Sequence, residues 1–154
     1  MKKLAVMMLL FAMAAELCWA GLGSNKAMYV GGTLNQIKEG TEGKSSTRDE
    51  KVFTFSYKKD KLDIPYDQID SVEYGQKAGR RLGVAVVVNP IFILSHKRKH
   101  FLTVNFKDKD DKQQAAVFEL GKDIVRTTLA SMEARTGRKI EYQDEEARAS
   151  GKGN

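Results

Sequence analysis

The spacing of the apolar residues changes once along this chain, and that change is the strongest constraint on its fold. Before residue 122, apolar residues lie in short runs in which apolar and polar positions alternate, as in residues 52–57 and 101–106. Such runs are typical of half-buried strands. In residues 122–136 the apolar positions recur at the spacing of one helical face. This order predicts a mainly β (α+β) fold, an antiparallel, strongly bent sheet or barrel capped by one C-terminal α-helix.

The boundaries of the first strands follow from the turn-forming residues between the runs. Residues 27–34 predict a first strand with a bulge at the glycine pair of positions 31 and 32. Residues 35–50 are polar and contain glycine, so they predict a loop. Pro65 restricts the residue before it to extended geometry, and it divides residues 62–74 into two short strands.

A hairpin and a helix are predicted for the second half of the chain. Residues 101–106 and 114–120 predict paired strands across a charged turn. The largely polar side of the first of these strands consists of Phe101, Thr103 and Asn105. Gly137 suits the left-handed position that ends a helix. We expect a short extended piece at residues 140–142 and a disordered tail from 143 to 154.

The N-terminal residues 1–20 have the three regions of a secretory signal peptide. A basic start precedes the apolar residues 4–15, and Cys18 and Ala20 put small side chains where signal peptidase requires them. We therefore expect cleavage after Ala20 and an exported protein, periplasmic or secreted, with one domain over residues 21–142. Two alternatives stay open, namely acylation of Cys18 and retention of an uncleaved anchor. The apolar run is short for a membrane-spanning helix, which needs about 20 residues.

Charge and cysteine content exclude several classes of protein. The chain has 154 residues, with 26 Lys and Arg against 20 Asp and Glu, and a single cysteine. One cysteine cannot form a disulfide scaffold, and the length fits one domain. The result is a single basic domain whose oligomeric state the sequence leaves open.

The positive charge of the chain is concentrated in one stretch. Between Glu73 and Asp108 there is no acidic residue, whereas seven Lys and Arg lie there. Residues 82–94 within the stretch are apolar except for Asn89, and cations flank them on both sides. We call residues 80–100 the basic–apolar segment.

The basic–apolar segment supports two interpretations. In the first, its apolar tip enters a membrane while its cations face anionic headgroups, so that the protein is a non-enzymatic binding module attached to anionic lipid. In the second, residues 82–94 are core strands or an interface, and the protein is a scaffold that binds another envelope protein. The side chains predicted to contact the membrane or ligand are Arg80, Arg81, Val86, Val87, Ile91, Phe92, Lys97, Arg98 and Lys99.

No catalytic, cofactor-binding or metal-binding residue is predicted. His96 and His100 enclose three cations, which repel a metal ion. Lysines interleave the aspartates of residues 107–112, unlike the residues of a calcium loop. No nucleophile-elbow sequence is present. Nucleic acid would suit the charge, but the predicted export and the lack of aromatic residues among the cations argue against it.

Two stretches carry a resemblance to a known family. Residues 64–74 (IPYDQIDSVEY) and 117–137 (VFELGKDIVRTTLASMEARTG) resemble the middle strands and the final strand and helix of pleckstrin-homology-like (PH-like) or GRAM-like domains. Residues 75–81 (GQKAGRR), 97–104 (KRKHFLTV) and 118–129 (FELGKDIVRTTL) also resemble a group of small exported bacterial proteins. The PH-like resemblance implies a binding module for lipid headgroups, membranes or peptides. Mixed charges in residues 38–50 depart from the pattern of phosphoinositide-binding members.

Overall fold

The computed structural model describes residues 25–76 and 99–152. The predicted signal peptide and most of the basic–apolar segment lie outside these residues. The strands are β1 (Lys26–Gly32), β2 (Thr41–Ser46), β3 (Val52–Tyr57), β4 (Asp60–Pro65), β5 (Ile69–Gly75), β6 (His100–Lys107), β7 (Gln113–Leu120) and β8 (Glu141–Tyr142). The helices are α1 (Val125–Thr136) and α2 (Glu145–Lys152), and 3-10 turns lie at Tyr66–Gln68 and Lys122–Ile124.

The eight strands form one sheet in the order β4-β3-β2-β1-β7-β6-β5-β8. Every neighbouring pair is antiparallel except β5 and β8, which run parallel. The register of β1 on β7 shifts between Tyr29 and Gly31, so the bulge predicted near the glycine pair is confirmed. A mainly β fold with a C-terminal helix is likewise confirmed. The described strands do not close into a barrel, because β4 and β8 remain at the two ends of the sheet.

The sheet is strongly bent. Two strands separate β3 from β7, and strands lie about 4.8 Å apart, so a flat sheet would hold these two roughly 14 Å apart. The ring centroid of Phe118 in β7 nevertheless lies 5.0 Å from that of Phe55 and 5.5 Å from that of Phe53, both in β3. The two halves of the sheet therefore face each other across a shared aromatic core.

Helix α1 packs on the core side of the bent sheet. Its predicted apolar stripe is buried, with Leu129 2% exposed and Met132 fully enclosed. Gly137 ends the helix with φ +68°, the left-handed conformation expected there. The guanidinium of Arg135 donates to the main-chain oxygens of Thr47 and Asp49 and so ties the helix to the β2–β3 loop.

The loop predicted over residues 35–50 is wrong in part, because it contains β2. The β2 sequence TEGKSS has no large apolar residue and no visible alternation. Its strand conformation comes from β1 and β3, which pair with it on both sides. Tertiary pairing in this strand overrides a weak local preference.

The disordered tail predicted from residue 143 is also wrong, because residues 145–152 form α2. Asp144 caps this helix, since its carboxylate accepts a hydrogen bond from the Ala147 N–H at 2.8 Å. Ala147 and Gly151 are buried, and a side chain at Gly151 would lie within 2.7 Å of the Tyr142 ring. Helix α2 is therefore stabilised by close packing of its small residues, which its polar sequence does not predict.

The outer face of the sheet, meaning the side opposite the core, corrects a third expectation. Phe101, Thr103 and Asn105 point to this side of β6, the side that the sequence predicts to be largely polar. They are 3%, 6% and 9% exposed. This part of the sheet is therefore buried on both sides.

Candidate functional site

The basic–apolar segment is anchored at one end of the sheet. Residues 77–98 follow β5 in the sequence and precede β6. We call them the 77–98 connection. These strands are neighbours, and Gly75 is paired with Phe101. Both ends of the connection therefore emerge side by side. Of the residues predicted to contact a membrane, only Lys99 lies within the described part of the chain.

Lys99 has a carboxylate partner. Its Nζ lies 2.8 Å from Oε2 of Glu119 on the adjacent strand β7, and the two side chains are 23% and 24% exposed. The pair is half-buried, so the Lys99 charge is neutralised where the connection ends. The role of Lys99 is consequently to hold the start of β6 to β7 through this ion pair.

Two further lysines lie on the outer face at the same end of the sheet. Lys26 in β1 is directly paired with Lys44 in β2, and both are exposed. The Gly121 N–H donates to the Lys26 main-chain oxygen at 2.8 Å, and the pairing of His100 with Leu120 places Lys99 beside Gly121. We call Lys26, Lys44 and Lys99 the lysine row. It runs from β2 across β1 to the residue that precedes β6.

The electrostatics of the lysine row favour an anionic ligand. Like charges directly opposite each other on neighbouring strands repel. Within the described residues, no salt bridge joins Lys26 or Lys44 to a carboxylate. The two lysines line an open cleft of about 720 Å³. Lys58, Met28, Glu42 and Glu119 are also among its lining residues.

The net charge of the protein is not on the described part of the chain. Residues 25–76 and 99–152 hold 19 Lys and Arg and 19 Asp and Glu. The 77–98 connection adds five cations and no acid, and residues 1–24 add a net charge of +1. The excess positive charge thus belongs mainly to the 77–98 connection, which joins β5 to β6 beside the lysine row.

A hydrogen-bonded group of side chains holds these strand ends together. The Tyr74 hydroxyl lies 2.6 Å from Nδ1 of His100 and 3.1 Å from the Ser150 hydroxyl, so it joins β5, β6 and α2. Burial lowers the pKa of His100, an effect that Glu119 opposes and Lys122 reinforces. Burial also raises the pKa of Tyr74. His100 therefore has a structural role, which no sequence motif indicated.

A second cleft lies beside the edge strand β4. Its volume is about 1070 Å³, and Leu34, Leu62 and Phe106 are among its lining residues. The edge is poorly suited to pairing with an added strand, because Pro65 lacks an N–H and the Lys61 N–H already donates to the Asp60 carboxylate at 2.8 Å. This cleft offers little main-chain hydrogen bonding to a peptide.

Neither a metal site nor a membrane span is found in the described residues. No group of three or more His, Cys, Asp or Glu side chains in residues 25–76 and 99–152 could hold a metal ion. Neither helix of this part of the chain has the length and apolar character needed to cross a bilayer.

The lysine row was missed by sequence reasoning for a physical reason. Its members are separated by up to 73 positions, and Lys44 lies in a stretch predicted to be a loop. Only the strand register brings them together, and the polar sequence of β2 gives no register signal. A comparison with models of known protein families found no matching family, and a comparison with curated proteins found no similar sequence.

Proposed function

We propose that this protein is an exported, non-enzymatic module that attaches reversibly to anionic membrane surfaces. The observation that carries the proposal is positional. The lysine row lies on the outer face at the sheet end from which the cationic 77–98 connection leaves. The described residues that adjoin the cationic connection and the lysine row therefore lie at the same end of the sheet, while the described residues as a whole are neutral.

The available charge is sufficient for reversible binding. The connection holds five cations, and Lys26 and Lys44 add two that have no salt bridge in the described part. Each cation near an anionic surface contributes about 1 kcal/mol. If all seven engage, the total of about 7 kcal/mol corresponds to a dissociation constant near 10 µM. This value is an upper bound on affinity, since a flat membrane cannot touch every cation equally.

A PH-like identity of the fold is part of the same proposal. Seven antiparallel strands in the order β4-β3-β2-β1-β7-β6-β5 precede α1, which packs on the core of the bent sheet. This arrangement is compatible with the resemblance of residues 64–74 and 117–137 to PH-like and GRAM-like domains. Membrane attachment is among the activities that this resemblance implies.

The test is co-sedimentation of the purified protein with phosphatidylcholine vesicles that contain or lack phosphatidylglycerol. We expect binding only to the anionic vesicles, and weaker binding as salt rises, since the Debye length falls from about 10 Å at 0.1 M to about 3 Å at 1 M. Lys26→Gln with Lys44→Gln should weaken binding about 30-fold, because two contributions of about 1 kcal/mol are removed.

The matched control is Lys109→Gln with Lys112→Gln, which removes the same charge. These lysines lie in the β6–β7 turn, at the opposite end of β6 from the lysine row. We expect a change of less than about 3-fold, since they lie beyond screening distance of a membrane at the other end. Equal losses in the two pairs, or no sedimentation with anionic vesicles, would contradict the proposal.

The competing proposal of an envelope-protein scaffold is less well supported. Its sheet-edge form requires free main-chain groups, and β4 offers few of them because of Asp60 and Pro65. A protein that ignores vesicles but co-purifies with another envelope protein in a manner insensitive to salt would favour this alternative over lipid attachment.

A further inference from the structure

Side chains of opposite charge lie in two neighbouring rows on the outer face of the sheet. Lys26 on β1 is paired with Lys44 on β2, and both belong to the lysine row. Two positions further along β1, Met28 is paired with Glu42 on β2 and with Glu119 on β7. We call Glu119, Met28 and Glu42 the acidic row. It runs beside the lysine row across the same strands.

Both rows line the cleft of about 720 Å³. Ser56 on β3 is paired with Lys44 and adds an exposed hydroxyl to the same cleft. Side chains two positions apart on one strand are separated by about 7 Å, which is therefore the spacing of the two rows. Side chains directly opposite each other have Cβ atoms about 5 Å apart. Lys26 and Lys44 can consequently hold one anionic group between them.

The two ends of the acidic row differ in how their carboxylates are neutralised. Glu119 lies 2.8 Å from Nζ of Lys99, and this ion pair shows that a side chain of one row can reach the other. In the part of the chain that the structure describes, no salt bridge involves Glu42 or Lys44, although they lie two positions apart on β2. A cation and a carboxylate that can both engage a ligand thus lie side by side in the cleft.

We propose that this cleft binds one ligand through a phosphate group and a primary ammonium group, the two charged groups of a phosphoethanolamine headgroup. The phosphate lies between Lys26 and Lys44 and accepts a hydrogen bond from the Ser56 hydroxyl. The ammonium group donates to the carboxylate of Glu42. Four bonds of roughly 1.5 Å join phosphorus to nitrogen in this headgroup, so its charges lie about 4–5 Å apart. The flexible lysine and glutamate side chains cover the rest of the spacing between the rows.

Glu42 makes the cleft selective for this combination of charges. A phosphate that carries no cation is attracted by the two lysines and repelled by the carboxylate of Glu42. A phosphoserine group adds a carboxylate of its own, which Glu42 also repels. A trimethylammonium group has no N–H to donate and is usually held by aromatic rings. None of the described residues that line the cleft is aromatic.

This inference deepens the proposed function, on which it rests for the source of the ligand. Phosphatidylethanolamine displays the headgroup on a membrane, whereas free phosphoamines display it in solution. On a membrane, the lysine row would both attract the anionic surface and contribute to the choice of headgroup. The first experiment uses soluble headgroups without a membrane, so its failure and a failure of vesicle binding are separate results.

The first experiment titrates the purified protein with three soluble phosphodiesters and follows its backbone amides by NMR. Glycerophosphoethanolamine carries the primary ammonium group, glycerophosphocholine carries a trimethylammonium group, and glycerophosphoglycerol carries no cation. We expect amide shifts in β1 and β2. The dissociation constant should be about 5-fold lower for glycerophosphoethanolamine than for the other two, as one exposed ion pair supplies.

Glu42→Gln separates the ammonium contact from the phosphate contact. It should weaken the binding of glycerophosphoethanolamine about 5-fold and leave the binding of glycerophosphoglycerol no weaker, because it removes a like charge. Lys44→Gln should weaken the binding of both, since both contain phosphate. The matched control is Glu141→Gln, which removes the same charge on β8, five strands away from β2 in the sheet. We expect this control to bind all three ligands unchanged.

Three outcomes would overturn the inference. Equal dissociation constants for the three phosphodiesters would show that the ammonium group is not recognised. Absence of amide shifts in β1 and β2 would show that the headgroup does not enter this cleft. Equal weakening by Glu42→Gln and Glu141→Gln would show that the carboxylate acts through the net charge of the protein and not through contact.

A second experiment identifies the source of the ligand. Two sets of vesicles contain the same fraction of phosphatidylglycerol, with either phosphatidylethanolamine or phosphatidylcholine as the remaining lipid, so their charge is equal. Sedimentation about 5-fold stronger with phosphatidylethanolamine supports a lipid headgroup as the ligand. Equal sedimentation with selective binding in solution supports a free phosphoamine in the same cleft. A preference for phosphatidylethanolamine that persists in Glu42→Gln would overturn the assigned contact.

Discussion

Replacing Tyr74 by phenylalanine tests the hydrogen-bonded group that joins β5, β6 and α2. The ring of Tyr74 is fully buried, and its hydroxyl lies 2.6 Å from Nδ1 of His100 and 3.1 Å from the hydroxyl of Ser150. Phenylalanine keeps the ring packing and removes only this hydroxyl. The substitution therefore isolates the hydrogen bonds.

The expected loss is about 1.5–3 kcal/mol in the free energy of unfolding. A buried hydrogen bond contributes a net 0.5–1.5 kcal/mol, roughly, and a partner left unsatisfied adds a penalty of about 1–3 kcal/mol. The lower part of the summed range applies to Tyr74, because His100 and Ser150 are only partly buried and water can reach them after the change.

Urea unfolding followed by circular dichroism gives the measurement. We expect the midpoint to fall by about 0.5–2 M with an unchanged slope. Tyr142→Phe is the matched control, since in the described residues the Tyr142 hydroxyl has no hydrogen bond while its ring packs edge-on against Tyr74 at 6.1 Å. A Tyr74→Phe protein within about 0.5 kcal/mol of this control would refute the role assigned to the hydroxyl.

The same group predicts how stability depends on pH. Burial lowers the pKa of His100 in the folded state, whereas the unfolded value is about 6.5. Between these values the unfolded chain binds more protons, so stability is complete above about pH 6.5 and falls as the pH drops toward the folded pKa. His100→Gln should flatten this slope, and a slope that persists in the variant would assign it to other groups.

Three further predictions concern the sheet itself. Gly43→Ala should lower the free energy of unfolding by about 1–3 kcal/mol, because the added carbon would lie 2.3 Å from the Ser56 main-chain oxygen. Gly137→Ala, with open space but φ +68°, should lower it by only about 1 kcal/mol. Equal losses in urea unfolding would contradict this. Phe118→Ala should lower the free energy of unfolding by about 3–5 kcal/mol in the same assay, because the Phe118 ring contacts both halves of the bent sheet. A loss below about 1.5 kcal/mol would argue against a shared core. Burial raises the pKa of Tyr29 to about 12, so Tyr29→Phe should remove a late part of the phenolate absorbance change, to which Tyr74 also contributes because burial raises its pKa. Folding stability should decline above about pH 10, as the unfolded chain loses the Tyr29 proton first.

Alternation and helical spacing predicted the strands and the helix whose own apolar residues show which side is buried. Strand β3, the β6–β7 hairpin and α1 all have a clear apolar side, and each was confirmed. Pro65 and Gly137 marked boundaries because each restricts or permits a particular backbone conformation. In these elements the local sequence and the tertiary packing agree.

The parts that could not be predicted depend on partners distant in the sequence. β2 is held by strands on both sides, and α2 by contacts of Ala147 and Gly151 that a polar sequence does not reveal. The outer side of β6 looks polar in sequence because Thr103 and Asn105 alternate with apolar residues, yet both are buried. The lysine row needs the register of the four strands β2, β1, β7 and β6, which no single stretch encodes.

The pairing of β1 with β7 also determines when this protein can fold. Ala27 is paired with Leu120, so the centre of the sheet joins the first strand of the described chain to the last long one. Closing so large a loop slows the search for the native pairing. During synthesis β1 can pair only with β2 until residue 120 has emerged, and its other edge has no partner. The chain can therefore complete its core only after residue 120 has been synthesised.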